Sequence, residues 1–286
     1  MLFRRTVALL ASLTLPLAAC SAPAAAPRPA PSPSRPAFDG KASIAASLSG
    51  IDAGVYSFVL TTRSGAVNGI LDAPGRSLET TSRRQIGDLD LEVTSRMLII
   101  GDQQYLKVAA RGADWDELLE NIAKHRGEKL PEDVRETSEL LGGENWVSVP
   151  KKPGVPDLTR PDALGLKALL SHVETTRGSS EAGNNRIAGT LDVSRLDKSP
   201  DLLGSMAKLS LPAKALAGKP APYAAYLTHG RLTMLDLTMP GGAGHWLIEV
   251  NDYGTARPAP APLASQVKKL SPDYLEPLTE GSPVRV

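Results

Sequence analysis

Few side chains in this sequence have both the type and the spacing that chemistry requires. Cys20 is the sole cysteine of the 286 residues, and it stands directly behind Leu17-Ala18-Ala19. As a thiolate, cysteine is a nucleophile and a metal ligand. The four histidines, His125, His172, His229 and His245, stand far apart, with no second His or Cys at metal-ligand spacing. Gly178-Ser179-Ser180-Glu181-Ala182-Gly183 lacks the Gly-x-Ser-x-Gly spacing of a nucleophile elbow. Gly241-Gly242-Ala243-Gly244 follows a strand pattern but opens no helix, so it is read as a loop and not as a phosphate cradle. Acid pairs such as Asp88 and Asp90 fall on the solvated face of a strand. The expectation is a non-catalytic protein with no metal and no cofactor.

Cys20 has a context that the other residues lack. Leu17-Ala18-Ala19-Cys20 has the residue types of a bacterial lipobox: a branched apolar residue, two small ones, then cysteine. In that motif a diacylglycerol is joined to the sulfur and a signal peptidase then cuts before the cysteine. Arg4 and Arg5 form a positive leader, and Val7 to Leu17 is an apolar run, which together have the anatomy of an export signal. The run is far shorter than the ~20 residues of a spanning helix. Residues 1–19 are therefore read as a signal peptide and Cys20 as a covalently lipidated residue. Two acyl chains give stable anchoring where one does not. The expected location is the extracytoplasmic face of the cell membrane.

Residues 20–40 then form the lipidated cysteine and its tether. Between Ser21 and Pro36, six of sixteen residues are proline, and most others are alanine or serine. Such a segment buries little and extends at ~3.1 Å per residue, a reach of roughly 50 Å. Loss of residues 1–19 removes Arg4 and Arg5 from the 32 basic residues and nothing from the 31 acidic ones. The balance becomes 30 against 31, with no basic stripe, so nucleic acid is not an expected partner. With no second cysteine there is no intramolecular disulfide, and the core must supply the stability. Aromatic residues make up only 4% of the chain, which leaves that core to Leu, Val, Ile and Ala.

Residues 41–270 read as a single domain, and residues 271–286 as a Pro-rich flexible tail. Residues 41–49 suggest a short helix. Val55–Arg63, Ala66–Leu71 and Leu78–Arg84 read as successive strands. The clearest period lies in Leu89–Ile100: Leu89, Leu91, Val93, Met97 and Ile99 fall on one face, and Asp90, Glu92, Thr94 and Arg96 on the other. That alternation marks a half-buried antiparallel strand. Gln103–Ala109 returns beside it. Helices are expected after Asp114, after Pro131, after Pro161, over Pro200–Leu209 and over Leu263–Leu270. Further strands are expected at Trp146–Val149, His172–Arg177, Arg186–Val193, Tyr223–Thr228, Arg231–Met239 and Trp246–Asn251, with a loop over Gly178–Asn185. Arg231 to Leu237 change phase midway, which suggests a bulge. About ten strands in hairpins with few helices make an α+β pattern.

The order of these pieces resembles the LppX/LprG-type lipoproteins of actinobacteria, which share the LolA-like half-barrel. The stretches that carry the resemblance are Gln104-Tyr105-Leu106-Lys107-Val108, Asn145-Trp146-Val147, Arg186 to Asp192, Gly230-Arg231-Leu232 and Asp252-Tyr253-Gly254. They span roughly residues 41–268. The resemblance implies a strongly curved antiparallel sheet with helices packed on its concave face, and an apolar cavity that binds or carries a lipid or lipoglycan. The candidate lining is Phe58, Leu60, Leu91, Val93, Met97, Ile99, Leu106, Val108, Leu191, Val193, Ile248 and Val250. The alternative is an envelope sensor or assembly module that binds a protein partner. Periodicity reports burial and leaves both readings open.

Overall fold

The fold is taken from a computed structural model, which describes residues 39–63, 65–86, 91–112, 142–149, 159–181, 184–211, 216, 220–242 and 244–269. The expected signal peptide, Cys20 and nearly all of the expected tether lie outside these residues. So do the two helices expected after Asp114 and Pro131, and the tail.

Among the described residues, twelve strands build one sheet. In chain order they are β1 (Val55–Thr62), β2 (Gly65–Asp72), β3 (Ser77–Ile86), β4 (Leu91–Ile100), β5 (Gln103–Arg111), β6 (Trp146–Val149), β7 (Val173–Glu181), β8 (Asn184–Asp192), β9 (Pro220–Thr228), β10 (Arg231–Thr238), β11 (His245–Asn251) and β12 (Val267–Lys268). Their spatial order is β12-β6-β5-β4-β3-β2-β1-β11-β10-β9-β8-β7. The sheet is large, curled and open. Every pairing is antiparallel except that of β12 with β6. It is thus two meanders, β1–β6 and β7–β11, joined along the single seam between β1 and β11.

One face of this sheet is apolar because the strands alternate in phase. Tyr56, Phe58 and Leu60 on β1 are buried while their neighbours are more exposed. Registers carry the pattern across: Leu60 opposes Val67 on one side and Ile248 on the other, and Ile248 opposes Leu235. Four short helices add to the same core: α1 (Gly40–Ser47), α2 (Ser49–Asp52), α3 (Leu166–Leu170) and α4 (Leu202–Ser210). Ile44, Leu48, Ile51, Leu166, Leu169 and Leu203 join the sheet residues in one buried cluster. Two of these helices begin at aspartate caps. Asp39 accepts from the Ala42 amide at 3.0 Å, and the buried Asp201 accepts from the Gly204 amide at 2.7 Å. Such caps satisfy amides that a helix start leaves unpaired.

Three local expectations are corrected. Gly178–Asn185 is not a loop throughout: β7 runs to Glu181 and β8 starts at Asn184. A polar edge strand needs no apolar residue when its neighbour's ladder holds it. The helix expected after Pro161 starts only at Leu166, preceded by turns over 159–164. The helix expected over Leu263–Leu270 is a single turn at Ala264–Gln266 followed by β12, where Val267 pairs with Trp146 and Lys268 with Val147. A non-local ladder wins there over a short helical run.

Candidate functional site

The twelve lining candidates divide by position. Phe58, Leu60, Ile99, Leu191, Val193, Ile248 and Val250 lie in the main buried cluster, each at most 5% exposed. Met97 packs against that cluster and remains partly exposed. Val108 is buried outside it. Val93 and Leu106 are partly exposed. The side chain of Leu91 lies outside the described residues. Val193 follows the end of β8.

Register shows which of these share a row. Leu106 opposes Met97, Met97 opposes Thr80, Thr80 opposes Gly69, Gly69 opposes Phe58, and Phe58 opposes Val250. The next row holds Val108, Ser95, Ser82, Val67, Leu60 and Ile248. Within these rows the β1 and β11 residues are buried at 3% exposure or less. At the β4–β5 end Met97 and Leu106 stay partly exposed, and Val93 with them. The apolar face is therefore filled at its centre and less fully covered on β4 and β5.

Packing at the centre is tight. A Cβ built on Gly69 would stand 2.0 Å from Phe58 Cζ, so the Phe58 ring occupies the space a side chain there would need. A second close approach joins the helices: a Cβ on Gly165, whose φ is 91°, would stand 2.2 Å from Asp201 Cγ. Two buried phenols, Tyr56 and Tyr223, and the partly buried Tyr253 are satisfied by backbone carbonyls. Tyr56 donates to Pro161 O at 3.0 Å, Tyr253 to Leu232 O at 2.6 Å, and Tyr223 to Thr175 O at 3.3 Å. Burial pushes the Tyr56 and Tyr253 hydroxyls well above the usual phenol range, and that of Tyr223 up to about 12. All three stay neutral, as an apolar interior requires.

The opposite face carries a feature the sequence did not disclose. After β11 the chain crosses that face to reach β6. Glu79 on β3 accepts from the Ala259 amide at 2.8 Å, and its other oxygen is 2.6 Å from Arg96 Nη2. The Arg96 guanidinium lies 5.4 Å from the Trp146 ring centroid, and Lys107 Nζ 6.0 Å from it. Leu98, on the same face as Glu79 and Arg96, is fully buried. Residues 252–268 thus form a strap that binds the last strand of one meander to the far edge of the other.

A half-open pocket of about 250 Å³ lies at one end of β7 and β8, lined among others by Leu169, His172, Asp192, Arg195, Leu196 and Lys198. Sequence reasoning placed no function there, because these residues come from two separate stretches, 165–172 and 192–199, and match no motif. Among the described residues, no three His, Cys, Asp or Glu side chains gather as a metal-holding group, and no helix is long and apolar enough to cross a membrane.

No family model matches the chain, and no curated protein matches it. The fold and the sites above therefore stand on the chain's own geometry.

Proposed function

We propose that this protein is a lipoprotein held on the extracytoplasmic face of the cell membrane by a diacylglycerol on Cys20, and that its domain binds or carries a lipid or lipoglycan without catalysis. In this reading the apolar face is the concave one, with the helices packed on it. The ligand's acyl chains lie along β4 and β5. The observation that carries it is the graded burial of one apolar row. Phe58 and Val250 are sealed in the core, while Met97 and Leu106 in that row, with nearby Val93, keep part of their surface open. Covering a CH₂ group by apolar contact stabilises by about 0.8 kcal/mol, so an acyl chain laid on such a row is held without any specific polar contact.

The test is native mass spectrometry of the soluble Cys20→Ala protein after exposure to native membranes, with uptake of a fluorescent acyl probe measured in parallel. The expected result is a mass increment of a lipid and saturable probe uptake, weakened by Met97→Asp. No lipid and no uptake would overturn the reading.

A second reading, an envelope sensor or assembly module, draws support from β7. That strand is the last of the sheet, and Glu174, Arg177 and Ser179 on it are exposed. An unpaired edge is a template for another strand. Cross-linking that yields one stoichiometric protein partner, with no lipid in the purified domain, would favour it.

A further inference from the structure

We infer that the pocket at the end of β7 and β8 is an anion site, taking a phosphate group of a small ligand or of a lipid headgroup. It is separate from the apolar face and does not rest on lipid carriage. Its floor includes Leu169 and Leu196, which are 4% and 6% exposed. Its walls include His172 just before β7, and Arg195 and Lys198 beyond the end of β8, all three exposed. None of these three side chains has an ion pair or side-chain hydrogen bond among the described residues.

The one acid that lines the pocket is already engaged. Asp192 accepts from the Ser194 amide at 2.8 Å. That bond, then the Ser194 hydroxyl, with smaller contributions from His172 and Arg195, holds its carboxyl below the usual range. Asp197 sits between Leu196 and Lys198 in the chain but does not line the cavity; one of its carboxylate oxygens is buried without a partner. The lining therefore offers two permanent cations and an imidazole against one satisfied carboxylate. Donors from Arg and Lys to a phosphate make the stronger, charge-assisted class of hydrogen bond. The volume, about 250 Å³, lies below the roughly 300–1,000 Å³ of drug-sized sites. It suits one phosphate with a small apolar attachment on Leu169 and Leu196, and does not suit a whole acyl chain.

The experiment uses the soluble Cys20→Ala protein with two probes. Inorganic phosphate is titrated while the His172 imidazole is followed by NMR. Vesicles of phosphatidylcholine, with and without phosphatidylglycerol, are tested by sedimentation. The expected result is a saturable His172 shift with phosphate, weakened about tenfold in Arg195→Ala and again in Lys198→Ala, since each removes a charged donor. Vesicle binding that requires phosphatidylglycerol and is lost in the same variants assigns the site to headgroups. Phosphate binding without vesicle binding assigns it to a soluble phosphate ester. A shift that does not saturate, or one unchanged in both variants, overturns the proposal. His172→Gln with vesicle sedimentation as readout gives a second check if an alanine variant fails to fold. Acyl-probe uptake is expected to be unchanged in Arg195→Ala and Lys198→Ala, so this site and the apolar face can fail independently.

Discussion

Phe58 and Gly69 share one volume: the ring of the first fills the place where the second would carry a side chain, 2.0 Å from a Cβ built there. The two residues oppose each other directly on β1 and β2. Gly69→Ala is therefore expected to cost about 1–3 kcal/mol through overpacking. In a Phe58→Leu background the same change is expected to cost much less, because the ring is gone. Urea unfolding of the four proteins of this cycle checks it, and additive effects would show that the two side chains do not compete for the space.

Glu79 holds the strap. Its carboxylate takes the Ala259 amide and the Arg96 guanidinium and is itself only 12% exposed. Glu79→Ala leaves both partners unmatched and is expected to cost about 1–3 kcal/mol. Amide hydrogen exchange over 256–268 should rise first and most. An exchange pattern unchanged in that stretch would mean that Pro-rich packing, and not the carboxylate, secures it.

Two aspartates near α3 and β8 should respond to pH with opposite signs. Burial raises the Asp162 carboxyl above its ordinary 3.8, against the pull of the Lys167 and Ala168 amides it caps. The folded state thus holds that proton more tightly than the unfolded chain. Its contribution is full below 3.8 and is lost as pH rises through the folded value. Asp192 is lowered from 3.8, so its contribution is present above that value and is lost as pH falls. Relative to wild type, Asp162→Asn should gain stability on going from acid to neutral pH. Asp192→Asn should lose a little over the same range, with salt reducing the effect at its solvent-accessible site. Urea midpoints across pH read both, and equal slopes in the two variants would refute the assignment.

Thr233 is the extra residue of a bulge: Leu232 opposes Leu227 and Met234 opposes Tyr226, with Thr233 between them unmatched. Deleting Thr233 would rotate Arg231 and Leu232 by one position and turn Leu232, now fully buried, to the other face. The expected cost is about 2–5 kcal/mol, the range for losing a buried Leu. Thr233→Ala removes the 3.1 Å bond to Tyr226 O and a long 3.4 Å bond with the Thr228 hydroxyl, and should cost about 1 kcal/mol. Thermal melts of the two variants separate these outcomes.

That bulge was legible from residues alone, since Leu232 and then Leu235 and Leu237 break a period of two. The β4–β5 hairpin at Gly101 was legible from the alternation of residue types, but the half-buried strand it implied was not found: Leu98 on one face of β4 and Ile99 on the other are both buried, because the strap covers the far face as well. β7 was cut short, because Gly178 and Ser179 bury nothing and owe their conformation to β8. β12 was missed because its two residues are defined by a partner more than a hundred positions away. The candidate lining shows a different limit. Alternation put Phe58 and Leu106 in phase equally well, yet one is sealed and the other partly open. What covers a face depends on distant elements, and the pocket near His172 is assembled from two segments, 165–172 and 192–199, with no common motif.

The two ends of the described domain mark opposite borders of the sheet. Gly40 lies against Thr176 and Ile187 on β7 and β8, whereas Lys268 sits on β12. Twelve strands laid flat at about 4.8 Å would separate those borders by roughly 50 Å, and curling brings them closer. A donor and acceptor dye placed near positions 41 and 268 therefore make the molecule its own calliper. Any occupant that tightens or relaxes the curl changes the jaw opening, and is read as a distance before it is identified.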